Sequence, residues 1–410
     1  MNKVLVWQLA LRYLRGKRAG NAVPVLSRIS IISIAITTTA MVLLLSVFNG
    51  FSELVKDLYK AFYPEIKITA ARGKFFSFTD AQLHKVAHLP GVAIATRSIE
   101  DNVLLNANDE QRVATIKGID HSFFDVNDIK PYIVDGADSV TTYPRPTAIV
   151  GLQIMNEMGT DVNNIFSTLT LFYPNAQSSN LALAPEQAFQ SLKLKPEGVF
   201  QVQDEFDSKY ILAPLGAVQY LFKAEGKYSS IELKLAPGAD AGKVRAQLQK
   251  ILGSQYTIAT RFEQNRTMYL VMRSEKWAVY AILVLVLIIA SFNMVGALSL
   301  LVLEKQKDMS ILKTMGAQPA DVRNIFIAEG LLWSLTGVLS GIILGLALCI
   351  GQQQFQWVKM QGSFIIEAYP VQIEWADFPL IIITVLTIGF LASWYPALKA
   401  KRSHVQLRSN

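Results

Sequence analysis

Four apolar runs dictate what this chain can fold into: Ile29–Phe48, Trp277–Leu303, Ile325–Ile350 and Phe378–Ala397. A helix rises ~1.5 Å per residue, so about 20 apolar residues cross ~30 Å of hydrocarbon. Four transmembrane helices are therefore expected, with one long polar stretch inserted between the first and the second. The composition agrees. Of 410 residues, 51% are hydrophobic and only 17% charged, whereas soluble domains carry about 25% charged residues. The first run is not read as a signal peptide, because it is longer than an h-region and no clean small-residue cleavage site follows it.

Charge sets the expected topology. Residues 51–275 hold 23 Lys/Arg and 25 Asp/Glu, a balance of −2, and the remainder holds 16 and 7, a balance of +9. The basic excess lies before the first run (Lys3, Arg12, Arg15, Lys17, Arg18, Arg28), between the second and third (Lys305, Lys307, Lys313, Arg323) and after the fourth (Lys399, Lys401, Arg402, Arg408). The positive-inside rule puts these three segments in the cytoplasm. That placement suits a membrane protein better than a nucleic-acid binder. The expected segments are a cytoplasmic N-terminus 1–28, a first span 29–50, an outer domain 51–275 and a second span 276–303. A cytoplasmic loop 304–324, a third span 325–351, a short outer loop 352–376, a fourth span 377–397 and a tail 398–410 follow. Residues 3–18 repeat Val4, Trp7, Leu11 and Leu14 at helical spacing, so they read either as an interfacial helix or as a plain basic tail.

Inside the third span, Gly337, Gly341 and Gly345 recur every four residues, a spacing that lets a neighbouring helix approach closely. Glu329 sits near the inner end of the same span. It is either a functional carboxylate or one that pairs or snorkels.

The outer domain contains two similar β-α-β passes, Glu65–Arg97 and Ile231–Arg261. Together they suggest an α/β domain with a split β-α-β, ferredoxin-like part. Residues 125–222 then form an inserted β-rich subdomain. Strands are expected at Val103–Leu105 and Arg112–Ile119 around an Asn-Asp turn, and at Thr168–Tyr173 and Gly198–Val202. The connection Pro174–Pro196 is long and poor in regular signals, as functional or disordered loops are.

Positive signs of catalysis are missing. Lys17, Lys74, Lys227 and Lys243 each follow a glycine, but Ser or Thr never follows them as a Walker A frame requires. His84 and His88 lie four apart without an evident third ligand, so no metal site is assigned, and no cofactor is called for. The single cysteine, Cys349, lies in an apolar run and excludes an internal disulfide. The informative segment is the loop after the second span. Met309, Leu312 and Met315 share a helical face there, and Gly316 is placed to stop the helix. Either the membrane surface or a protein groove would cover that face.

This segment, EKQKDMSILKTMGA after SFNMVGALSLLVL, resembles the FtsX-like permease family, and more closely the lipoprotein-releasing LolC/LolE permeases. SIISIAI and LLSVFNGF at the first span and WYPALKAKRSHVQLR after the fourth extend the likeness, which covers nearly the whole chain. The outer segment resembles a MacB-like periplasmic core domain, and 276–403 an FtsX-like permease domain.

The resemblance implies a non-catalytic permease subunit in the bacterial inner membrane. It belongs to a mechanotransmission ABC transporter that extracts lipoproteins and passes them to a periplasmic carrier. The partners are a separate ATPase, a second permease subunit (identical or a paralogue), the carrier and the lipoproteins. ATPase coupling falls to Lys307, Met309, Leu312, Lys313, Met315 and Gly316. Carrier contact falls to the loop bearing Pro174, Asn175, Leu181, Leu183 and Pro185. A lipid path is expected between the first and second spans of opposed subunits, at Val47, Phe48, Phe51, Phe292 and Val295. Other FtsX/MacB-type permeases, for efflux or envelope regulation, and a non-transport sensor or scaffold are the alternatives.

Overall fold

The computed structural model describes residues 23–175, 189–359 and 368–402. The interfacial helix expected over 3–18 and the loop residues Leu181, Leu183 and Pro185 lie outside them. Two compact units result, one up to Leu54 together with 270–359 and 368–402, the other running from Val55 to Tyr269.

The first unit is built on four long helices, Val23–Lys60, Arg266–Glu304, Pro319–Phe355 and Asp377–Arg402, each containing one apolar run. Each is long and apolar enough to cross a membrane. Large apolar side chains such as Ile282, Ile289, Ile343, Ile383 and Leu391 stay exposed on this unit. Lipid is the solvent that tolerates such a surface. At one end, Lys276 pairs with Glu374 and Asp377, both at 3.1 Å, and Asn49 donates to Asp377 at 2.8 Å.

The glycine ladder receives the first span. A Cβ on Gly337 would fall 2.7 Å from Ile34, one on Gly345 would fall 2.7 Å from Val42, and one on Gly341 would fall 2.6 Å from the carbonyl oxygen of Ala35. Thr39 Oγ1 donates to the Gly341 carbonyl at 3.1 Å. The two backbones are thus near contact, where dispersion and interhelical hydrogen bonding replace the hydrophobic effect that lipid cannot supply. Gly341→Ala is expected to destabilise the membrane unit by about 1–3 kcal/mol through overpacking. Gly296 in the second span has open space around its would-be Cβ. Gly296→Ala is therefore expected to be neutral or stabilising by up to ~1 kcal/mol from helix propensity. Thermal inactivation of the two variants in one detergent checks the contrast, and equal behaviour would remove the close-packing argument.

The second unit carries twelve strands among its described residues. They are β1 (Ile66–Ala70), β2 (Phe76–Ser77), β3 (Val92–Ala107), β4 (Glu110–Ile119), β5 (Ile133–Gly136), β6 (Thr147–Gly151), β7 (Leu169–Pro174), β8 (Phe189–Phe200), β9 (Tyr210–Pro214), β10 (Lys227–Tyr228), β11 (Ser230–Leu235) and β12 (Tyr256–Thr260). The main sheet runs β12-β1-β11-β3-β4-β9-β6-β8-β5, and β7 pairs with both β3 and β8. The strands β3-β4-β9-β6-β8-β7 therefore close into a six-stranded ring. The β4–β9 and β6–β8 pairs are parallel and the others in the ring antiparallel.

This closure corrects the expectation of a separate subdomain at 125–222. The inserted strands β6 to β9 complete their sheet with β3 and β4, which precede the insertion. The physical reason is the length of β3, 16 residues. Its first half pairs with β11 and its second half, with β4, forms part of the ring wall. The β3–β4 turn is Asn108–Asp109, both at positive φ (48° and 64°), the backbone a tight two-residue hairpin needs.

Two helices cover one face of β12-β1-β11-β3. Asp80–Ala87 is capped by Thr79, whose hydroxyl accepts from Gln82 N–H at 3.3 Å, and Gln82 Oε1 accepts from Thr79 N–H at 2.9 Å. Ala241–Leu252 is capped by Asp240. Such caps satisfy N–H groups that the first turn leaves without partners. Val86, Val244, Leu248 and Leu252 from these helices pack with Ile66, Ile68, Ile231, Leu233 and Ile258 from the strands.

Candidate functional site

The short helix Gln306–Thr314 between the second and third spans is built as a fixed presenter. Its end is a Schellman turn. Gly316 takes φ +95°, Ala317 N–H donates to the Leu312 carbonyl at 3.0 Å, and Gly316 N–H to the Lys313 carbonyl at 3.1 Å. A glycine is required there because other residues resist that backbone region. Gln318 then caps the third span, its N–H donating to Asp321 at 3.0 Å, with Pro319 in the first turn.

The side chains on this helix face differently from the sequence expectation. Met309 is 3% exposed and belongs to the core shared by the membrane helices. Leu312 packs on Ile325, Ala328 and Leu332 of the third span. Met309 is thus fastened inside its own chain, and half-buried Leu312 rests on the third span with part of its side chain still open. Met315 is 79% exposed, as expected for an outward residue, and Ile311 is 57% exposed. Lys307, Ile311 and Met315 recur every four residues and form the outward strip, with exposed Gly316 beside it, while Lys313 is half-buried. The helical period was legible. Which apolar stripe turned inward was not, because the third span supplies its own apolar patch.

The other expected positions are scattered. Val47 and Phe48 are half-buried, Phe51 and Phe292 exposed, and Val295 packs on the membrane core. Val47 shares a cavity with the third span and not with Phe292. Glu329 does not snorkel. It is 1% exposed and its Oε2 has no hydrogen-bond partner, nor does Trp333 Nε1 one turn further on. His84 and His88 stack with ring centroids 3.9 Å apart on an exposed helix face, and no third metal-ligating residue joins them among the described residues. Pro174 ends β7 and pairs with Phe189, the first residue of β8, and Asn175 follows it. The irregular connection expected as far as Pro196 therefore ends before Phe189. Leu192, Leu194 and Pro196 alternate inward, a period-2 pattern that overrides the charged lysines between them.

The sheet also buries a charge cluster that sequence reading passed over. Lys67 on β1 lies opposite Glu232 on β11, and Glu100 on β3 lies opposite Lys117 on β4. Lys67 meets Glu100 at 2.7 Å, and Lys117 meets Glu232 at 2.6 Å and Glu100 at 3.8 Å. Asn127 and Ser98 donate to Glu232 at 2.8 and 2.9 Å. Burial pushes both carboxyls upward, but the two ammoniums overcome it and hold Glu100 at about 2 and Glu232 below the usual range. Burial likewise lowers Lys67, and Glu100 and Glu232 more than restore it. The signal was there: IKI, IEL and TIKGI each place one charge inside an apolar strand.

Asp207 behaves oppositely. Burial raises its carboxyl to about 6, although it accepts the N–H groups of Val202 and Gln203. An acid raised in the folded state stabilises below its unfolded value, about 3.9, and loses that contribution as pH rises through about 6. Asp207→Asn is expected to flatten the pH dependence of stability between pH 4 and 7 by on the order of 2 kcal/mol. Thermal midpoints across that range check it, and an unchanged slope would place the titration elsewhere.

Residues 27–251 match the family described as MacB-like periplasmic core domain, and residues 280–405 match FtsX-like permease C-terminal. The chain is 25% identical over 407 residues to the lipoprotein-releasing system transmembrane protein LolC of Xylella fastidiosa, covering 96% of each. It is 24% identical over 415 residues to LolE of Haemophilus influenzae, again covering 96% of each. The periplasmic region of MacB from Actinobacillus actinomycetemcomitans aligns over 53% of this chain and 98% of its own length, with 12% identity and a TM-score of 0.37.

Four apolar helices and a mixed-sheet domain inserted after the first define a multi-pass membrane protein. The chain belongs to the family that carries a MacB-like periplasmic core domain, and within it is a permease of the LolC/LolE type.

Proposed function

We propose that this permease is the subunit of an ABC transporter that extracts lipoproteins from the inner membrane and hands them to a periplasmic carrier, with a separate ATPase supplying the energy. One observation carries the reading. The helix Gln306–Thr314 is fastened to the spans by Met309 and Leu312 and turns Lys307, Ile311 and Met315 outward. A push on that strip reaches the second and third spans directly. A lipoprotein's acyl chains resist leaving lipid by ~0.8 kcal/mol per CH₂, so extraction needs such an input.

Both termini and this helix are cytoplasmic in this reading, and residues 51–275 are periplasmic, as the one-sided basic segments favour. The order β12-β1-β11-β3, with all neighbours antiparallel and helices on one face, supports a split β-α-β part. The residues between Pro174 and Phe189, including Asn175, Leu181, Leu183 and Pro185, are proposed to reach the carrier. A second permease subunit completes the assembly, with lipid entering beside Val47, Phe48, Phe51, Phe292 and Val295.

The test is reconstitution. Proteoliposomes holding the permease, a second permease subunit, the ATPase and a fluorescent lipoprotein should transfer that lipoprotein to added carrier when ATP is supplied. Transfer that is independent of ATP, or absent in a complex with active ATPase, overturns the reading.

A further inference from the structure

The membrane unit holds an apolar cavity of about 400 Å³ between the first and third spans. Leu43 and Val47 form one wall, Leu348 and the buried Cys349 a second, and Val358 and Val371 the third. The third wall is not an accident of a loose loop. Gln352 donates to the Val358 carbonyl at 2.9 Å and accepts the Val358 N–H at 3.0 Å. Gln353 donates to the Val371 carbonyl at 2.8 Å, and Gln372 N–H to the Ser46 carbonyl at 2.9 Å. A Cβ on Gly351 would strike the Trp357 ring, so glycine lets that indole lie flat on the helix.

The chemistry of these walls selects hydrocarbon. Apart from Cys349, Trp357 and Tyr369, the polar lining comes from Gln352, and both ends of its amide are consumed in holding the loop, so the interior is dominated by hydrocarbon. The depth selects a lipid. Phe355, Trp357, Tyr369 and Trp375 are exposed around the same end of the helices, Trp357 at 61% and Trp375 at 75%. Phe355 and Trp357 stack with centroids 5.7 Å apart. Exposed aromatic rings gathered at one end of membrane helices mark the headgroup level. The cavity thus sits where an acyl chain begins.

The geometry points to a resident phospholipid site: one acyl chain occupies the cavity, with its headgroup at the aromatic rim beside Trp357 and Tyr369. The bound chain would fill the space between two spans that the glycine ladder already holds together, and it would link the loop after the third span to the first. This inference needs only that the helices span a bilayer, although Val47 also lies on the lipid path proposed above, so the test separates resident phospholipid from cargo.

The experiment uses the full permease complex in lipid nanodiscs containing phosphatidylglycerol with a diazirine on one acyl chain. After irradiation, adducts are mapped by peptide. Peptides covering 43–47 and 348–358 should carry several-fold more adduct than the exposed Ile383–Leu391 face of the fourth span. Val47→Trp fills the cavity and should cut the excess several-fold, leaving the fourth-span adducts unchanged. Val358→Trp sits at the exposed rim, spares the helix packing and should do the same. Uniform labelling of all exposed faces, or an excess unchanged in both variants, overturns the site. Displacement of the excess by a triacylated lipopeptide, but not by unlabelled phosphatidylglycerol, would assign the cavity to cargo and also overturn it.

Discussion

Replacing Ile311 and Met315 together by aspartate is expected to abolish ATP-driven release while leaving the permease folded. Both side chains are already largely exposed in the chain by itself, so the charges meet water until a partner arrives. Fully burying each native side chain would contribute roughly 1.5–3 kcal/mol before ordering costs. Losing half of that from two positions weakens ATPase binding by about tenfold or more, since each 1.4 kcal/mol is tenfold. Co-purification of the ATPase and the reconstituted release assay are the measurements, and normal values in both would show that coupling runs elsewhere. Leu312→Asp is the less informative variant. It would set a carboxylate against Ile325, Ala328 and Leu332 of its own third span, so loss of release could come from the fold. Lys307→Glu should act mainly on the association rate, because a rim charge steers more than it holds.

Lys117→Met should be the most destabilising single change in the outer domain. Lys117 is 2% exposed and Glu232 fully buried, so removing the ammonium leaves Glu232 without its 2.6 Å partner and Glu100 with only Lys67. Breaking one side of a buried ion pair costs about 3–5 kcal/mol. Lys117→Met with Glu232→Leu, which removes the opposing charge as well, should recover much of that loss. Hydrogen exchange of β3 and β11 amides reads the effect locally, which matters in a two-unit chain that need not unfold in one step. Equal protection in Lys117→Met and the parent would mean that the cluster contributes nothing to the sheet. Because Glu100 is held at about 2, its contribution is present above about 4.5 and is lost only as pH falls through about 2.

What was legible in the sequence followed from strong periodicities. The four apolar runs each lie inside a long helix, and each of the two expected β-α-β passes holds a helix, Asp80–Ala87 and Ala241–Leu252. The Asn108–Asp109 turn appeared where two strand patterns met. The misses share a cause: a neighbour in space decided between two readings of one pattern. By sequence Met309 and Met315 are grouped on one helical face, yet six residues set them about 120° apart around a helix of 3.6 residues per turn, and Met309 is covered by the spans while Met315 is bare. Leu192-Lys-Leu194-Lys-Pro196 read as loop because a proline and two lysines mask alternation, and β6 and β7 supplied the pairing. Ring closure through β7 and β3 depends on contacts more than sixty residues apart, which no local window contains.

That ring has a consequence for how the outer domain meets other proteins. Each of its six strands has a neighbouring strand on both sides among the described residues, so a visiting chain finds only short open stretches along it to extend as an extra strand. Contact with the ring must instead pass through side chains and loop ends, whose weaker and more local bonds break as readily as they form. A wall with so little open edge favours contacts that form and release over strands that are exchanged.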